Sequence, residues 1–242
     1  AKAGRHVLIE KPVAATSPAA HWLDRELKGL GTLAVPGFQH RFNPGIQEIK
    51  RRIEKGFIGT LSSISIQHAV AGPPRPTEWR NDAASSGGWS ISDLGAHLLD
   101  TALYLVGHLD LVAARLSSPA RGLTVDDLSC LLLVQGEATV SVRASTGTPG
   151  PPSSLEVSGT EGWVRLSDFW GGGGQIADST GHEERLSARD LYVEEVEAFA
   201  AAVDGEEWAG ASVEEGVWSV EVVEAARDLD ARCRARSASD VA

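Results

Sequence analysis

The chain has 242 residues, of which 42% are hydrophobic and 23% charged, as is typical of a globular protein with a buried core. Acidic residues outnumber basic residues by 33 to 22, and the resulting net charge of -11 argues against nucleic-acid binding as the main function. No stretch approaches ~18 uninterrupted apolar residues, so we expect no membrane span. The two cysteines, Cys130 and Cys233, lack the spacing of a disulfide framework or a metal site and favour a reducing cytoplasm.

The first forty residues predict a strand, a helix and a second strand. Residues 6–10 form a short, mostly apolar run that is typical of a strand buried on both faces. Ser17 can cap a helix and Pro18 fits its first turn, and this helix is expected to reach about Gly29. Residues 33–37 predict the second strand. The βαβ order indicates a parallel sheet, although one unit is too little for a complete parallel domain.

The rest of the chain predicts an α+β domain with a large open sheet, because strand patterns there are separated by short turns that favour antiparallel pairing. Strands are expected at residues 61–70, 110–117, 127–135, 137–145, 154–159 and 162–168, helices at 44–55, 92–106, 189–203 and 213–234, and loops at 146–153 and 171–174.

Residues 29–34 match the dinucleotide-binding pattern G-x-G-x-x-A. That pattern binds a pyrophosphate only where it follows a strand and opens a helix. Here it follows a predicted helix and precedes a predicted strand, so we interpret it as a helix C-cap and turn.

Residues 93–100 place Asp93, His97 and Asp100 near one face of a predicted helix, at spacings of four and three. Histidine suits general acid–base catalysis, and a neighbouring carboxylate can orient the ring and stabilise its charged form. A His–Asp pair at a cap or on the surface is an alternative, and a metal site is a third. The spacing alone leaves all three open.

Lys11 ends the first strand, where open α/β sheets bind ligands, and its ammonium group could hold a substrate oxygen; a surface lysine is the alternative. Residues 39–44 also follow a strand and either line the same cleft or form a polar loop. Trp79, Arg80 and Trp89 flank the loop before the 92–106 helix, where a glycine pair permits close backbone approach or a plain turn.

Four segments share their order and spacing with one known family. Residues 4–12 carry an E-K-P strand, residues 37–44 an R-F-x-P segment, residues 79–100 a W-R…G-G…D-x-G-x-H-x-x-D block, and residues 211–235 a closing helix. In this order they resemble the glucose–fructose oxidoreductase / inositol dehydrogenase / MocA family (Gfo/Idh/MocA) of NAD(P)-dependent oxidoreductases. The resemblance covers most of the chain.

The resemblance implies hydride transfer between NAD or NADP and a CH–OH carbon of a sugar, inositol or related polyol. Lys11 would hydrogen-bond the reacting oxygen, His97 would exchange its proton, and Asp93 would orient or assist them. The bond before Pro12 is expected to be cis. Trp89 stands where a third glycine is common, which narrows the expected substrate pocket. The cofactor contacts are expected at Glu10, Lys11, Pro12 and Arg41, and the substrate contacts at Trp79, Arg80, Trp89 and Asp100.

The family begins with a complete Rossmann-type domain, and its fingerprint is missing from this sequence, which also contains no methionine. We therefore expect residues 1–38 to be the C-terminal remnant of a dinucleotide-binding domain. Residues 39–242 would be a substrate and oligomerisation domain with a mainly antiparallel open sheet and helices on one face. The resemblance also implies a homodimer or homotetramer through that sheet, where the apolar residues 131–134 fit either an interface or a buried central strand.

A chain of this kind is expected to be inactive without the missing segment. The alternative is a degenerate, non-catalytic family member that serves as a ligand-binding or self-association module. The absent fingerprint favours this alternative, whereas the joint presence of Lys11, Asp93 and His97 argues against it. The sequence distinguishes neither the substrate nor NAD from NADP.

Overall fold

The computed structural model describes residues 1–71, 79–82, 86, 88–119 and 124–239. The described strands are β1 (Val7–Glu10), β2 (Ala34–Gly37), β3 (Leu61–Ala69), β4 (Asp110–Ser117), β5 (Leu128–Gln135), β6 (Ala138–Ser145), β7 (Ser154–Gly159), β8 (Trp163–Ser167), β9 (Gly174–Asp178) and β10 (Glu183–Leu186). The described α-helices are α1 (Ser17–Leu27), α2 (Pro44–Glu54), α3 (Ala96–Val106), α4 (Leu191–Val203) and α5 (Val213–Ser239), with short 3₁₀ turns at Gln39–Phe42 and Trp79–Asn81 and a π-helical segment at Ser90–Gly95.

Strands β1 and β2 form a parallel pair, in register from Val7 opposite Ala34 to Glu10 opposite Gly37. Both strands therefore end at the same edge, and the residues that follow them lie close together. Thr16, rather than the expected Ser17, caps α1, because its side chain accepts from the Ala19 amide while Ser17 is already helical.

The glycine motif at residues 29–34 is a helix end and turn, as predicted. Helix α1 ends at Leu27, and both Gly29 and Gly31 adopt positive φ, of 80° and 64°. The chain then enters β2, so no helix follows this glycine turn. The geometry that would place amides and a helix dipole against a pyrophosphate is therefore absent from residues 29–34.

Eight of the described strands form one sheet in the order β10-β9-β8-β7-β3-β6-β5-β4. The β3–β6 pair in its middle is parallel, and the other neighbouring pairs are antiparallel. Helices α2, α3 and α5 contribute buried side chains to a core that they share with one face of this sheet, including Ile46, Leu98, Leu99 and Val222. The predicted fold class, a small parallel sheet followed by a mainly antiparallel sheet covered by helices, is confirmed.

Strand β5 shows how the sheet separates its two faces. Leu131 and Leu133 are buried in the core, whereas Leu132 between them is 37% exposed. The apolar run at residues 131–134 is therefore a core strand on one face and an exposed surface on the other, and its expected role in an interface stays a prediction.

Two strands and one helix start were not predicted correctly. Strands β9 and β10 were not predicted. Gly174, which was expected to lie in a loop, begins β9 with φ 141° and packs against Leu166. The single helix expected over 92–106 is divided into the π-helical segment and α3. The domain boundary expected at residue 38 stays a prediction. Helix α5 contacts both β2, which precedes residue 38 in the chain, and β4, which follows it. None of the helices in the described ranges combines the length and apolarity needed to cross a bilayer.

Candidate active site

A cavity of about 810 Å³ opens at the edge where β1 and β2 end. The π-helical segment, the start of α1 and one side of α5 form its other walls. Seven of the residues predicted for the site line this cavity: Glu10, Lys11, Pro12, Arg80, Trp89, Asp93 and His97. The sequence placed these residues in separate segments, and the fold brings them to one space.

Lys11 is fixed in the cavity wall by Asp93. Its Nζ atom donates to Asp93 Oδ1 at 2.8 Å and to the Asp93 backbone oxygen at 3.0 Å, and its side chain is 12% exposed. Arg80 Nε donates to the other carboxylate oxygen at 3.1 Å. Burial opposes ionisation of Asp93, but Lys11 and Arg80 outweigh it and hold its pKa below the usual value. The peptide bond between Lys11 and Pro12 is cis, as expected.

His97 is a neutral imidazole at the inner end of the cavity. It is 6% exposed, and the rings of Phe38, His40 and Trp170 surround it at centroid distances of 6.2, 5.1 and 5.7 Å. Burial lowers its pKa well below the usual value, and the nearby positive charge of Lys11 adds to this effect. Its Nδ1 atom is buried without a hydrogen-bond partner, and His97 is one of the residues that line the cavity.

The carboxylate expected beside His97 is not there, which corrects that part of the sequence analysis. Asp93 binds Lys11 and Arg80, and Asp100 binds Arg41, so neither supports a charged imidazole. The alternative of a surface His–Asp pair is also wrong, because His97 is buried. Within the described residues, no group of His, Cys, Asp and Glu side chains is arranged to hold a metal ion.

Residues 46–165 match the family model described as the GFO/IDH/MocA C-terminal domain. The match confirms the resemblance of this sequence to the Gfo/Idh/MocA family. It is 27% identical to levoglucosan dehydrogenase from Pseudarthrobacter phenanthrenivorans over 79% of this chain, and spans 57% of that relative. It is 29% identical to inositol 2-dehydrogenase 2 from Saccharopolyspora erythraea, over 93% of this chain and 67% of the relative.

Solved structures share the fold of this chain. Aldose-aldose oxidoreductase from Caulobacter crescentus superposes with a TM-score of 0.83 at 23% identity, over 96% of this chain and 71% of that one. Levoglucosan dehydrogenase in complex with NADH and L-sorbose gives a TM-score of 0.81 at 22% identity, over 96% and 72%. The two-sheet architecture is therefore that of the family's oxidoreductases.

Two residues predicted for the Gfo/Idh/MocA site do not reach the cavity. Arg41 and Asp100 are 4% and 1% exposed and form a buried ion pair, with Arg41 Nη2 donating to Asp100 Oδ1 at 2.7 Å. Arg41 Nη1 also donates to Glu215 Oε2 at 3.0 Å. The predicted contacts of Arg41 with the cofactor and of Asp100 with the substrate are therefore replaced by a structural bond that links α3, α5 and the Gln39–Phe42 turn.

Three aromatic side chains, those of His40, His68 and Trp170, pack behind His97, and no signal in the sequence indicated this cluster. Trp170 stacks on His68 with ring centroids 3.9 Å apart and packs against His40 at 4.4 Å. Burial lowers the pKa of His40 to about 3 and that of His68 to about 4, so both are neutral at physiological pH. These three residues come from a turn, a strand and a loop, and no local pattern connects them. We define His40, His68 and Trp170 as the aromatic wall.

The loop before the π-helical segment is described only in part. Trp79 lies in a 3₁₀ turn, but its side chain is outside the described residues, as is Gly87. Trp89 is 8% exposed and lines the cavity, where its bulk reduces the space, as expected for a tryptophan in place of glycine. Gly88 has φ 113°, and a Cβ atom there would lie 2.5 Å from Asp126 Oδ1, so the close backbone approach is to Asp126.

Proposed function

We propose that this chain forms the catalytic and substrate-binding part of an NAD(P)-dependent dehydrogenase that acts on a CH–OH group of a sugar, inositol or related polyol. The observation that carries the proposal is that Lys11 and His97, from distant segments, line one cavity. The names of the relatives, which include levoglucosan and inositol dehydrogenases, support the class of substrate.

In this mechanism Lys11 binds the reacting oxygen. Its ammonium group is a positive donor that stabilises negative charge developing on that oxygen as the alcohol loses its proton. Asp93 holds the ammonium group at the cavity wall through two hydrogen bonds, which limits the orientations that Lys11 can adopt. Asp93 is thus a positioning residue for Lys11.

His97 accepts the proton of the alcohol. The lowered pKa keeps its imidazole unprotonated, so a basic ring nitrogen is available at neutral pH. Such an imidazole is a weak base by itself, and the transfer depends on Lys11, which favours alkoxide character at the substrate oxygen. Positioned proton transfer of this kind contributes roughly 10²–10⁴ in rate.

The residues present fit the reactive end of a nicotinamide cofactor. Parallel strands β1 and β2 end at the cavity, the place where open α/β sheets bind such ligands, and Glu10, Lys11 and Pro12 lie at that edge. A bound nicotinamide would supply the redox chemistry by accepting the hydride of the carbinol carbon. Of the predicted cofactor contacts, Glu10, Lys11 and Pro12 are retained in the proposal, while Arg41 is not.

The sheet face away from the helices is proposed as the surface of a homodimer or homotetramer. Leu132 on β5 and Trp163 on β8 are exposed there by 37% and 38%, among small and polar side chains such as Ser65 and Ser141. A flat face of this composition, on a sheet with its other side buried, supports self-association. The free thiols of Cys130 and Cys233 support a location in the reducing cytoplasm.

The experiment that tests the function is a panel of neutral sugars, sugar acids and inositols, each with NAD and with NADP. The protein is expressed from its complete open reading frame, and formation of the reduced nicotinamide is followed by absorbance. We expect turnover of at least one polyol, with a reaction that reverses when its ketone product and the reduced cofactor are supplied. Sugar binding without turnover would instead indicate the non-catalytic module, and the dehydrogenase assignment would be wrong.

A further inference from the structure

Three cationic side chains meet at one turn of the cavity wall. Lys11 and Arg80 both bind the carboxylate of Asp93, and Arg227 from α5 donates through Nη2 to Ser92 Oγ at 2.9 Å. Ser92 and Asp93 are consecutive in the π-helical segment, so all three cations contact one turn of the chain. The described cavity lining also contains three acidic residues, Glu10, Asp93 and Glu224.

Arg227 differs from Lys11 and Arg80 in that it makes no ion pair with any described residue. It is half-buried and lines the cavity. The carboxylates of Asp126 and Glu224 attract its charge from nearby, but their hydrogen bonds go to other groups: Asp126 accepts from the Ser90 hydroxyl and from the Ile91 amide at 2.8 Å, and Glu224 accepts from Ser17. Burial lowers the pKa of Arg227, and the two carboxylates oppose this effect.

The packing around Arg227 holds its guanidinium group at the cavity wall. A Cβ atom at Gly88 would lie 3.3 Å from Arg227 Nη2, so the backbone of Gly88 passes directly against that nitrogen. Together with the Ser92 hydroxyl, this contact fixes one side of the guanidinium group. Arginine has five donor N–H groups, and among the described residues only the Ser92 hydroxyl accepts a hydrogen bond from Arg227, so several donors are available for a ligand.

We propose that Arg227 binds an oxyanion, a carboxylate or a phosphate, that is carried by the sugar or polyol substrate. This inference rests on the proposed function, which it narrows to acidic or phosphorylated polyols. Arg227 and Lys11 contact neighbouring residues of one turn, so a single small ligand can place its alcohol on Lys11 and its anionic group on Arg227. A planar guanidinium group suits two-point binding of such an anion.

The test compares three probes by isothermal titration calorimetry on the purified protein without cofactor: D-glucuronate, D-glucose 6-phosphate and D-glucose. The variants are Arg227→Gln, Arg227→Lys and the matched control Arg232→Gln, which removes an exposed arginine from the same helix. Thermal melts confirm that each variant is folded. We expect at least one anionic probe to bind about tenfold or more tightly than D-glucose to the unmodified protein.

In Arg227→Gln this preference should disappear while D-glucose binding is unchanged. Arg227→Lys should retain part of it, and Arg232→Gln all of it. Equal binding of all three probes to the unmodified protein overturns the inference, whether or not the Gln variant folds. The inference is also overturned if Arg227→Gln weakens the binding of NADH or NADPH but not the binding of the anionic sugar. Arg227 would then bind an oxyanion of the cofactor.

The substrate panel separates failure of this inference from failure of the proposed function. Turnover of neutral polyols with no preference for anionic ones would support the dehydrogenase assignment and contradict the proposed role of Arg227. Binding of D-glucuronate through Arg227 without turnover of any polyol would contradict the dehydrogenase assignment. An Arg227 variant that also binds D-glucose more weakly would point to a structural role for the side chain and contradict the inference.

Discussion

Lys11 and Asp93 lie 82 residues apart in the chain, yet Lys11 Nζ donates to both the carboxylate and the backbone carbonyl oxygen of Asp93. The lysine therefore enters the cavity with its position set by a turn that also leads into the helix carrying His97. The π-helical segment and α3, which are continuous in the chain, thus determine where both proposed reacting groups lie.

Loss of either reacting group should lower turnover without weakening the binding of the cofactor. Lys11→Ala removes the group that stabilises the developing alkoxide, and His97→Ala removes the proton acceptor. We expect each to lower kcat by roughly 10²–10⁴ while the dissociation constant of NAD(P)H changes little. Lys55→Ala, at an exposed lysine, is the control. Near-normal kcat in both variants would contradict the mechanism.

The acid limb of the pH profile should lie below the ordinary histidine range. The pKa of His97 is lowered well below 6.5, so the imidazole stays neutral, and able to accept a proton, as the pH falls through 6.5. We therefore expect kcat/KM for oxidation to show no loss from this group near pH 6.5. The measurement is a kcat/KM profile in the folded range, and an acid limb centred at 6.5 that His97→Ala abolishes would be the contrary result.

Breaking the buried ion pair should destabilise the fold. Asp100→Asn leaves Arg41 buried with only the partly exposed Glu215 as its counter-charge. Removing one partner of a buried pair costs about 3–5 kcal/mol in the free energy of unfolding. Urea denaturation at pH 7 measures this, with the exposed Asp228→Asn as control. A loss no larger than that of Asp228→Asn would show that the pair contributes little.

Replacement of Glu195 on α4 by glutamine should stabilise the protein more at high pH than at low pH. Glu195 is 3% exposed, and burial raises its pKa from 4.5 to about 7. Its contribution to stability is therefore present below pH 4.5 and is lost as the pH rises through 7, because the folded state must then bury a charge. Glu195→Gln removes that cost. We expect the variant to gain about 3 kcal/mol relative to the unmodified protein between pH 4 and pH 8.

Urea denaturation at both pH values measures this difference, and comparison at each pH cancels the titration of the buried histidines. Glu197→Gln changes an exposed carboxyl on the same helix and should show no such pH dependence. A constant difference between Glu195→Gln and the unmodified protein across the range would mean that folding does not shift the pKa of Glu195.

The proposed self-association should depend on the exposed sheet face. Leu132→Lys places a charge on that face, where Leu132 is 37% exposed, without removing a core side chain. We expect size-exclusion chromatography with light scattering to show a dimer or tetramer for the unmodified protein and a smaller species for the variant, at an unchanged unfolding midpoint. A variant with the original mass would place the interface elsewhere.

Local signals account for the parts of the fold that were predicted from the sequence. Asn43 and Pro44 mark the start of α2, and Asn43 caps it by accepting from the Gly45 amide at 2.8 Å. Gly107, with φ 83°, ends α3 as expected. Strands β9 and β10 were missed because glycine and charged residues give them no alternating pattern. They are strands because β9 pairs with β8 and β10 pairs with β9.

The residues of the site also fall into two groups, those that a local motif identified and those that only the fold brings together. Lys11, Asp93 and His97 were identified because their motifs are local, and the fold then joined them. Spacing also placed Asp100 on the helix near His97, but spacing cannot reveal what lies across from a helix, and the partner proved to be Arg41. The residues of the aromatic wall and Arg227 come from segments far apart in the chain, so only the tertiary structure brings Trp170 and Arg227 to the cavity and places His40 and His68 against Trp170.

The bond between Ser17 at the start of α1 and Glu224 in α5 joins residues 207 positions apart. Because α1 and α5 meet at this wall of the cavity, the pocket is enclosed only when α5 has folded against the N-terminal segment. A chain that contains Lys11, Asp93 and His97 but lacks a docked α5 therefore has no enclosed pocket. Two separately expressed fragments, divided before α5, should bind a ligand only when both are mixed.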